Sequence, residues 1–197
     1  MPTQKKSWPA RLFRWGVRTW FARQGWSIER QIPVERKFVI IAVPHTSNWD
    51  FPHFLGLADE LGLELSFMGK LSLFRWPFAN VMRELGGIPV DRKSSNNAVD
   101  QMVVEFAKRD TFMLTIAPEG TRGKVREWRT GFYHIAMAAG VPIVCGLMDY
   151  AKKHGGLGPA IYPTGDYEAD MKKIAEVYKG CTPKYPERTA IGLLSGK

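Results

Sequence analysis

Apolar residues in this chain gather into short β-branched runs separated by longer stretches in which they recur every three or four positions. The runs at 37–43, 64–68, 86–90, 111–116, 141–147 and 158–162 read as strands. The stretches at 9–24, 48–61, 73–84, 96–109, 130–139 and 166–178 carry helical periodicity. Strands alternating with helices predict an α/β fold, a single domain with a largely parallel mixed sheet flanked by helices, preceded by an N-terminal amphipathic helix. No internal repeat, low-complexity tract or interdomain linker interrupts the pattern. Residues 152–158, with three glycines, read as a loop, and residues 182–197 as an irregular tail.

Composition narrows the class. At 197 residues and 45% hydrophobic, the chain can bury one sizeable core. The two cysteines, Cys145 and Cys181, form neither a disulfide framework nor a metal-ligand spacing, which fits a reducing, cytoplasmic setting; Cys145, inside an apolar run, is expected to be buried. No stretch approaches eighteen consecutive apolar residues, so no transmembrane helix is expected. Arginines repeatedly interrupt residues 1–25, which argues against a secretory signal.

The formal net charge of +9 is concentrated near the N-terminus. Residues 1–30 hold Lys5, Lys6, Arg11, Arg14, Arg18, Arg23 and Arg30 against Glu29 alone, and also Trp8, Trp15, Trp20 and Trp26. On a helix from about Pro9, Arg11, Arg14 and Arg18 form one stripe, while Phe13, Val17, Trp20 and Phe21 lie on another face. Such a basic, aromatic helix suits an anionic bilayer surface, which divides the chain into a membrane-associating segment (1–30) and a catalytic domain (31–197) and places it peripherally on the inner, cytoplasmic membrane face. The alternative is a helix packed on the domain with its arginines solvated. No nucleic-acid-binding motif accompanies the basic segment, so nucleic acid is not an expected partner.

Candidate chemistry clusters where predicted strands end. His45 and Asp50 stand in Val43-Pro44-His45-Thr46-Ser47-Asn48-Trp49-Asp50, across a strand-to-helix turn. Asp50 in the first helical turn can reach back to one ring nitrogen of His45 and fix its tautomer, leaving the other nitrogen to accept a proton from a hydroxyl. Pro118-Glu119-Gly120-Thr121-Arg122 turns away from the run at 111–116, with a glycine that lets backbone N–H groups approach a ligand and an arginine whose planar fork suits phosphate. Arg92 stands just past the run at 86–90, and Lys70 after that at 64–68, where it can face the same phosphate. Tyr133 and His134 are expected to pack rather than line the site, and so is the run Leu71, Leu73, Phe74, Trp76, Pro77 and Phe78, whose alternative role is to border an apolar ligand groove.

Taken in order, these segments resemble the glycerolphosphate and lysophosphatidic acid acyltransferase family. His45-Thr46-Ser47-Asn48-Trp49-Asp50 is similar to its H-x-x-x-x-D block, Gly87-Ile88-Pro89-Val90-Asp91-Arg92 to its G-x-x-x-x-R block, and Pro118-Glu119-Gly120-Thr121-Arg122 to its P-E-G-T-R block. Val141-Pro142-Ile143-Val144 is similar to a later V-P-I-V block, so the likeness spans about residues 38–146. Pro44 and Ala117 depart from the asparagine and phenylalanine often found before the first and third blocks.

The resemblance implies transfer of a fatty acyl group from acyl-CoA or acyl carrier protein to the hydroxyl of a lysophospholipid acceptor, with no metal and no organic cofactor beyond the thioester. It makes His45 and Asp50 the catalytic dyad, and Arg92, Glu119 and Arg122 the holders of the glycerol-phosphate. Backbone amides at Gly120 and Thr121 lie where an oxyanion would form. Three other readings predict different behaviour. A metallohydrolase would use His53 beside His45 and Asp50 as ligands, a lipid-binding module would be indifferent to His45, and an amino-acid or sugar lipid could replace the glycerophosphate acceptor.

Overall fold

A computed structural model describes residues 6–90, 95–123 and 127–188. Its elements in chain order are α1 (Trp8–Ala22), β1 (Ser27–Ile28), β2 (Lys37–Ala42), α2 (Asp50–Glu60), β3 (Leu65–Lys70), α3 (Ala79–Glu84), β4 (Gly87–Val90), α4 (Ser95–Lys108), β5 (Phe112–Ile116), α5 (Gly131–Ala139), β6 (Ile143–Asp149), β7 (His154–Ile161) and α6 (Tyr167–Tyr178). The strands form a seven-stranded sheet in the order β1-β7-β6-β2-β5-β3-β4. Strands β2 to β6 run parallel, whereas β7 pairs antiparallel with β6 and carries β1 alongside it. The expected α/β fold with a largely parallel mixed sheet is the one observed.

β2 shows why the apolar runs are continuous rather than alternating. It lies between β5 and β6, and helices cover both of its faces. Phe38 and Ile40 join a core with Phe21 of α1, Leu57 of α2 and Leu61 just past its end. Val39 and Ile41 point the other way, into a core with Met102 and Phe106 of α4, Phe132 and Ile135 of α5, and Ile174 of α6. All four β2 residues are at most 2% exposed, and each such side chain stabilises the fold by about 1.5–3 kcal/mol. Tyr178, fully buried at the end of α6, donates its hydroxyl to the carbonyl of Ile41 at 2.6 Å and so ties that helix to the end of β2 that leads into the His45 turn.

Two expectations fail for local reasons. The helix foreseen at 73–84 is a 3-10 turn (Leu71–Phe74) followed by the short α3, because Pro77 has no N–H and stops any helix from running through it. Leu71, Leu73, Trp76 and Phe78 are consequently exposed rather than packed, Trp76 to 92%. The loop foreseen at 152–158 is mostly strand β7. Its glycines admit close neighbours: a Cβ on Gly156 would lie 2.7 Å from the Cβ of Glu29, and one on Gly158 would lie 2.9 Å from Cγ1 of Val177. Asp149 Oδ1 accepts from the N–H groups of Ala151 and Lys152 at 3.0 and 3.1 Å, closing a tight turn over residues 150–153 that only an antiparallel hairpin accommodates.

The N-terminal helix is folded onto the rest of the chain. Its Ala10 and Phe21 are buried, Arg14 is ion-paired with Asp59 of α2, and the N–H and hydroxyl of Ser7 donate to Glu84 at 2.8 and 2.6 Å. The face carrying Trp20 and Phe21, expected to meet a bilayer, turns inward, and Arg14 leaves the solvated stripe. What remains outside is Trp8, Leu12 and Trp15, at i, i+4 and i+7, together with Phe13 from the expected bilayer face, flanked by exposed Arg11 and Arg18.

Candidate active site

The five central parallel strands end at one edge of the sheet, and the turns leaving β2, β3, β5 and β6 carry the candidate residues there. His45 follows β2 through Val43 and Pro44. Asp50 opens α2, and its Oδ2 accepts the Ser47 N–H at 2.8 Å, which folds the carboxylate back across the turn and sets it 3.2 Å from Nδ1 of His45. Ser47 Oγ accepts the Trp49 N–H at 3.0 Å and tightens the same turn. Asp50 is 5% exposed and stands at a helix N-terminus, where the unsatisfied N–H groups favour negative charge. A proton on Nδ1 facing Asp50 leaves Nε2 of His45 as the free base, on a side chain 24% exposed.

Two residues distant in sequence complete the surroundings. Tyr150, in the β6–β7 turn, donates its hydroxyl to Asp50 Oδ1 at 2.7 Å. Glu119 accepts the backbone N–H of His45 on Oε2 at 2.7 Å, while its buried Oε1 has no partner among the described residues. Burial pushes the Glu119 carboxyl up to about 7, against the opposing pull of the His45 N–H. Glu119 therefore sits beneath the His45 turn rather than on the cavity wall where an acceptor contact would place it. The reason is Gly120, whose φ of 67° reverses the chain so that Gly120, Thr121 and Arg122 face the cavity while the preceding side chain points back.

The cavity beside the dyad has a volume of about 1150 Å³. His45, Asp50, Lys70, Gly120, Thr121 and Arg122 all line it, so the structure brings these sequence-derived candidates together. Phe51, Phe54, Phe67, Met68, Leu73 and Met82 supply an apolar wall, and Leu73, with Ser72 beside it, brings the exposed 71–78 stretch to the cavity. Arg92 lies outside the described residues. Arg129 was not foreseen: it lines the cavity and packs on Gly120 so closely that a Cβ there would lie 2.9 Å from its Nε. Its only sequence signal is a cation seven residues after Arg122 in a stretch without periodicity.

The remaining candidates have structural positions. Tyr133 is buried, bonded to Asp170 at 2.9 Å, and His134 is solvent-exposed away from the cavity. His53 gives its Nδ1 proton to the Trp49 carbonyl at 2.7 Å, and its ring is packed among Trp20, Phe21, Trp26 and Tyr150. Burial lowers its pKa, so it is held neutral. A metal site that needs His53 beside His45 and Asp50 thus loses its third ligand, and no three metal-binding side chains cluster among the described residues. The C-terminal segment also braces the site: Thr182 O accepts the Tyr150 N–H at 2.8 Å, and the Tyr185 N–H donates to Thr46 Oγ1 at 3.3 Å.

Comparison with known proteins gives the family and the fold. The acyltransferase family profile matches residues 26–148, more than half of the sequence, and the chain belongs to that family. The 1-acyl-sn-glycerol-3-phosphate acyltransferase of Haemophilus influenzae is 30% identical over 142 residues, covering 65% of this chain and 58% of that protein. The enzyme of the same name from Escherichia coli is 37% identical over 84 residues, 39% of this chain and 34% of its own length. That of Salmonella typhimurium is 36% identical over 106 residues, 51% and 42% of the two chains. The matched segment thus spans little more than half of these relatives at most. Among solved structures, the 1-acyl-sn-glycerophosphate (LPA) acyltransferase PlsC from Thermotoga maritima superposes with a TM-score of 0.59 at 22% identity, over 95% of this chain and 82% of that one, which shows a shared fold.

Proposed function

We propose that this protein transfers a fatty acyl group from an acyl thioester, acyl-CoA or acyl carrier protein, to the free hydroxyl of a lysophosphatidate-like lipid. The observation that carries this reading is the His45–Asp50 pair, 3.2 Å apart, set in a cavity with an apolar wall on one side and Lys70, Arg122 and Arg129 around it. His45 Nε2 takes the hydroxyl proton as the oxygen attacks the thioester carbonyl, and Asp50 stabilises the imidazolium. The tetrahedral oxyanion is held by the backbone N–H of Thr121, since that of Gly120 is given to the Ala117 carbonyl at 3.1 Å. Collapse breaks the C–S bond, and the departing thiolate takes the proton back from His45, so the products are an ester and a free thiol. Arg122, with Lys70 and Arg92, holds the acceptor phosphate, and Glu119 acts from beneath by fixing the His45 backbone. This chemistry needs no metal and no cofactor beyond the acyl donor.

The test is thiol release from palmitoyl-CoA and from palmitoyl carrier protein, each with and without 1-acyl-glycerol-3-phosphate, with lipid products read by mass spectrometry. Acceptor-dependent release with a diacyl product is expected; absence of any product across a panel of thioesters and hydroxyl lipids would defeat the proposal. Arg122→Ala should raise KM for the phosphorylated acceptor about tenfold or more while changing kcat much less, because it removes binding that ground and transition states share. An unchanged KM would remove Arg122 from the phosphate site.

The same lipid substrate calls for a membrane surface, and the proposal places the protein peripherally on the inner face. No helix among the described residues is long and apolar enough to cross a membrane. The outer face of α1 exposes Trp8 and Trp15 to 75% and 65%, beside Arg11 and Arg18, and Trp76 and Phe78 add exposed aromatics from the loop before α3. Aromatics and arginines of this kind favour an anionic interface. Trp8→Glu with Trp15→Glu should weaken binding to vesicles containing phosphatidylglycerol at least tenfold, measured by sedimentation; native binding by this variant would exclude α1 as the contact.

A further inference from the structure

We infer that Tyr150 is a positioning residue of the acyl-transfer site, holding Asp50 in the orientation that its pairing with His45 requires, so that the β6–β7 turn is a working part of the site. The inference rests on the proposed general-base role of His45. Asp50 has two carboxylate oxygens with separate duties. Oδ2 faces His45 Nδ1 at 3.2 Å and the Ser47 N–H at 2.8 Å, and Oδ1 accepts, among the described residues, the Tyr150 hydroxyl alone, at 2.7 Å. The carboxylate is thus clamped at both ends, and the Tyr150–Asp50–His45 chain of hydrogen bonds runs from the interior to the cavity.

Tyr150 is itself fixed from several sides. Its backbone N–H donates to Thr182 O at 2.8 Å, its ring meets Trp26 and His53 edge-on at 5.3 and 5.1 Å, and the Lys184 ammonium lies 5.3 Å from its ring centroid. Burial, together with the bond to Asp50, pushes the phenol well above its usual range, so it remains a donor wherever the protein is folded. A hydrogen bond to one carboxylate oxygen draws charge from the other. Without the Tyr150 hydroxyl, Asp50 would concentrate its charge on the His45 side, hold the imidazole proton more tightly and be freer to rotate.

Tyr150→Phe keeps the ring and removes only the hydroxyl. Three results are expected. First, kcat falls about tenfold at neutral pH with acceptor KM nearly unchanged. Second, the acid limb of the kcat/KM profile, and the NMR titration midpoint of the His45 ring, move upward by roughly half a unit to one unit. Third, the substitution has no further effect in an Asp50→Asn background, since the hydroxyl then has no carboxylate to steer. Of the other titratable groups around the pair, Glu119 lies below and Lys184 with Tyr185 comes from the C-terminal segment, while His53 along α2, whose Nδ1 lies 3.4 Å from the hydroxyl, keeps its shorter bond to the Trp49 carbonyl in this variant. Native kcat together with an unmoved His45 titration in Tyr150→Phe would overturn the inference. The NMR titration needs no substrate, so it decides the role of Tyr150 even if the proposed acceptor proves wrong.

Discussion

His45→Ala lowers kcat for acyl transfer by about 10²–10⁴-fold with little change in KM for either substrate, the range a positioned general base supplies. The magnitude follows from the absence, among the described residues, of a neighbour able to replace it. His53 has its Nδ1 committed to Trp49 O and its ring enclosed by aromatics, and Glu119 has Oε2 engaged by the His45 N–H beneath the turn. Folding is expected to survive, because the His45 turn is held by its backbone: alanine keeps the N–H donated to Glu119, and Asp50 keeps Ser47 and Tyr150. Near-native turnover by a folded variant, with circular dichroism and thermal midpoint unchanged, would show that the base lies elsewhere.

Glu119→Gln is expected to stabilise the fold above pH 7 by on the order of 1–3 kcal/mol. The carboxyl is buried, with Oε2 bonded to a backbone N–H and Oε1 without a partner among the described residues, and its pKa rises from an ordinary 4.5 to about 7. A carboxyl that binds its proton more tightly folded than unfolded destabilises nothing below 4.5, costs progressively more as pH rises to about 7, and costs its full amount above that. Glutamine keeps an oxygen for the His45 N–H and carries no charge. Urea denaturation at several pH values is the measurement: the native chain should lose stability between pH 4.5 and 7 relative to the variant, and parallel curves would mean that Glu119 is compensated by groups outside the described segments. The charge would then be retained for function at the expense of stability, as strained or uncompensated groups at sites often are.

Much of this architecture is legible locally. The strand at 37–43 and the helix at 48–61 follow from apolar runs and periodicity, and the His45–Asp50 contact follows from them because both residues belong to one strand-to-helix turn. The sequence alone also places Gly120, Thr121 and Arg122 after a buried strand, hence at the edge where parallel strands end. Misreadings occur where a residue has more than one use. Gly155, Gly156 and Gly158 suggest a loop, yet two of them make room for Glu29 and Val177 in a strand. Leu71 to Phe78 has the apolar content of a core helix, yet Pro77 divides it.

What the sequence by itself determined is therefore the set of elements and the chemistry held within single turns, since both depend on neighbours a few residues apart. The tertiary structure alone decided which face of α1 is buried, because two apolar faces are present and packing against α2 selects Trp20 and Phe21. It alone set Tyr150 on Asp50 across 100 residues and Glu119 beneath His45 across 74. Those contacts come from the strand order, which puts β2 between β5 and β6, and no periodicity along one strand records which strands will lie beside it.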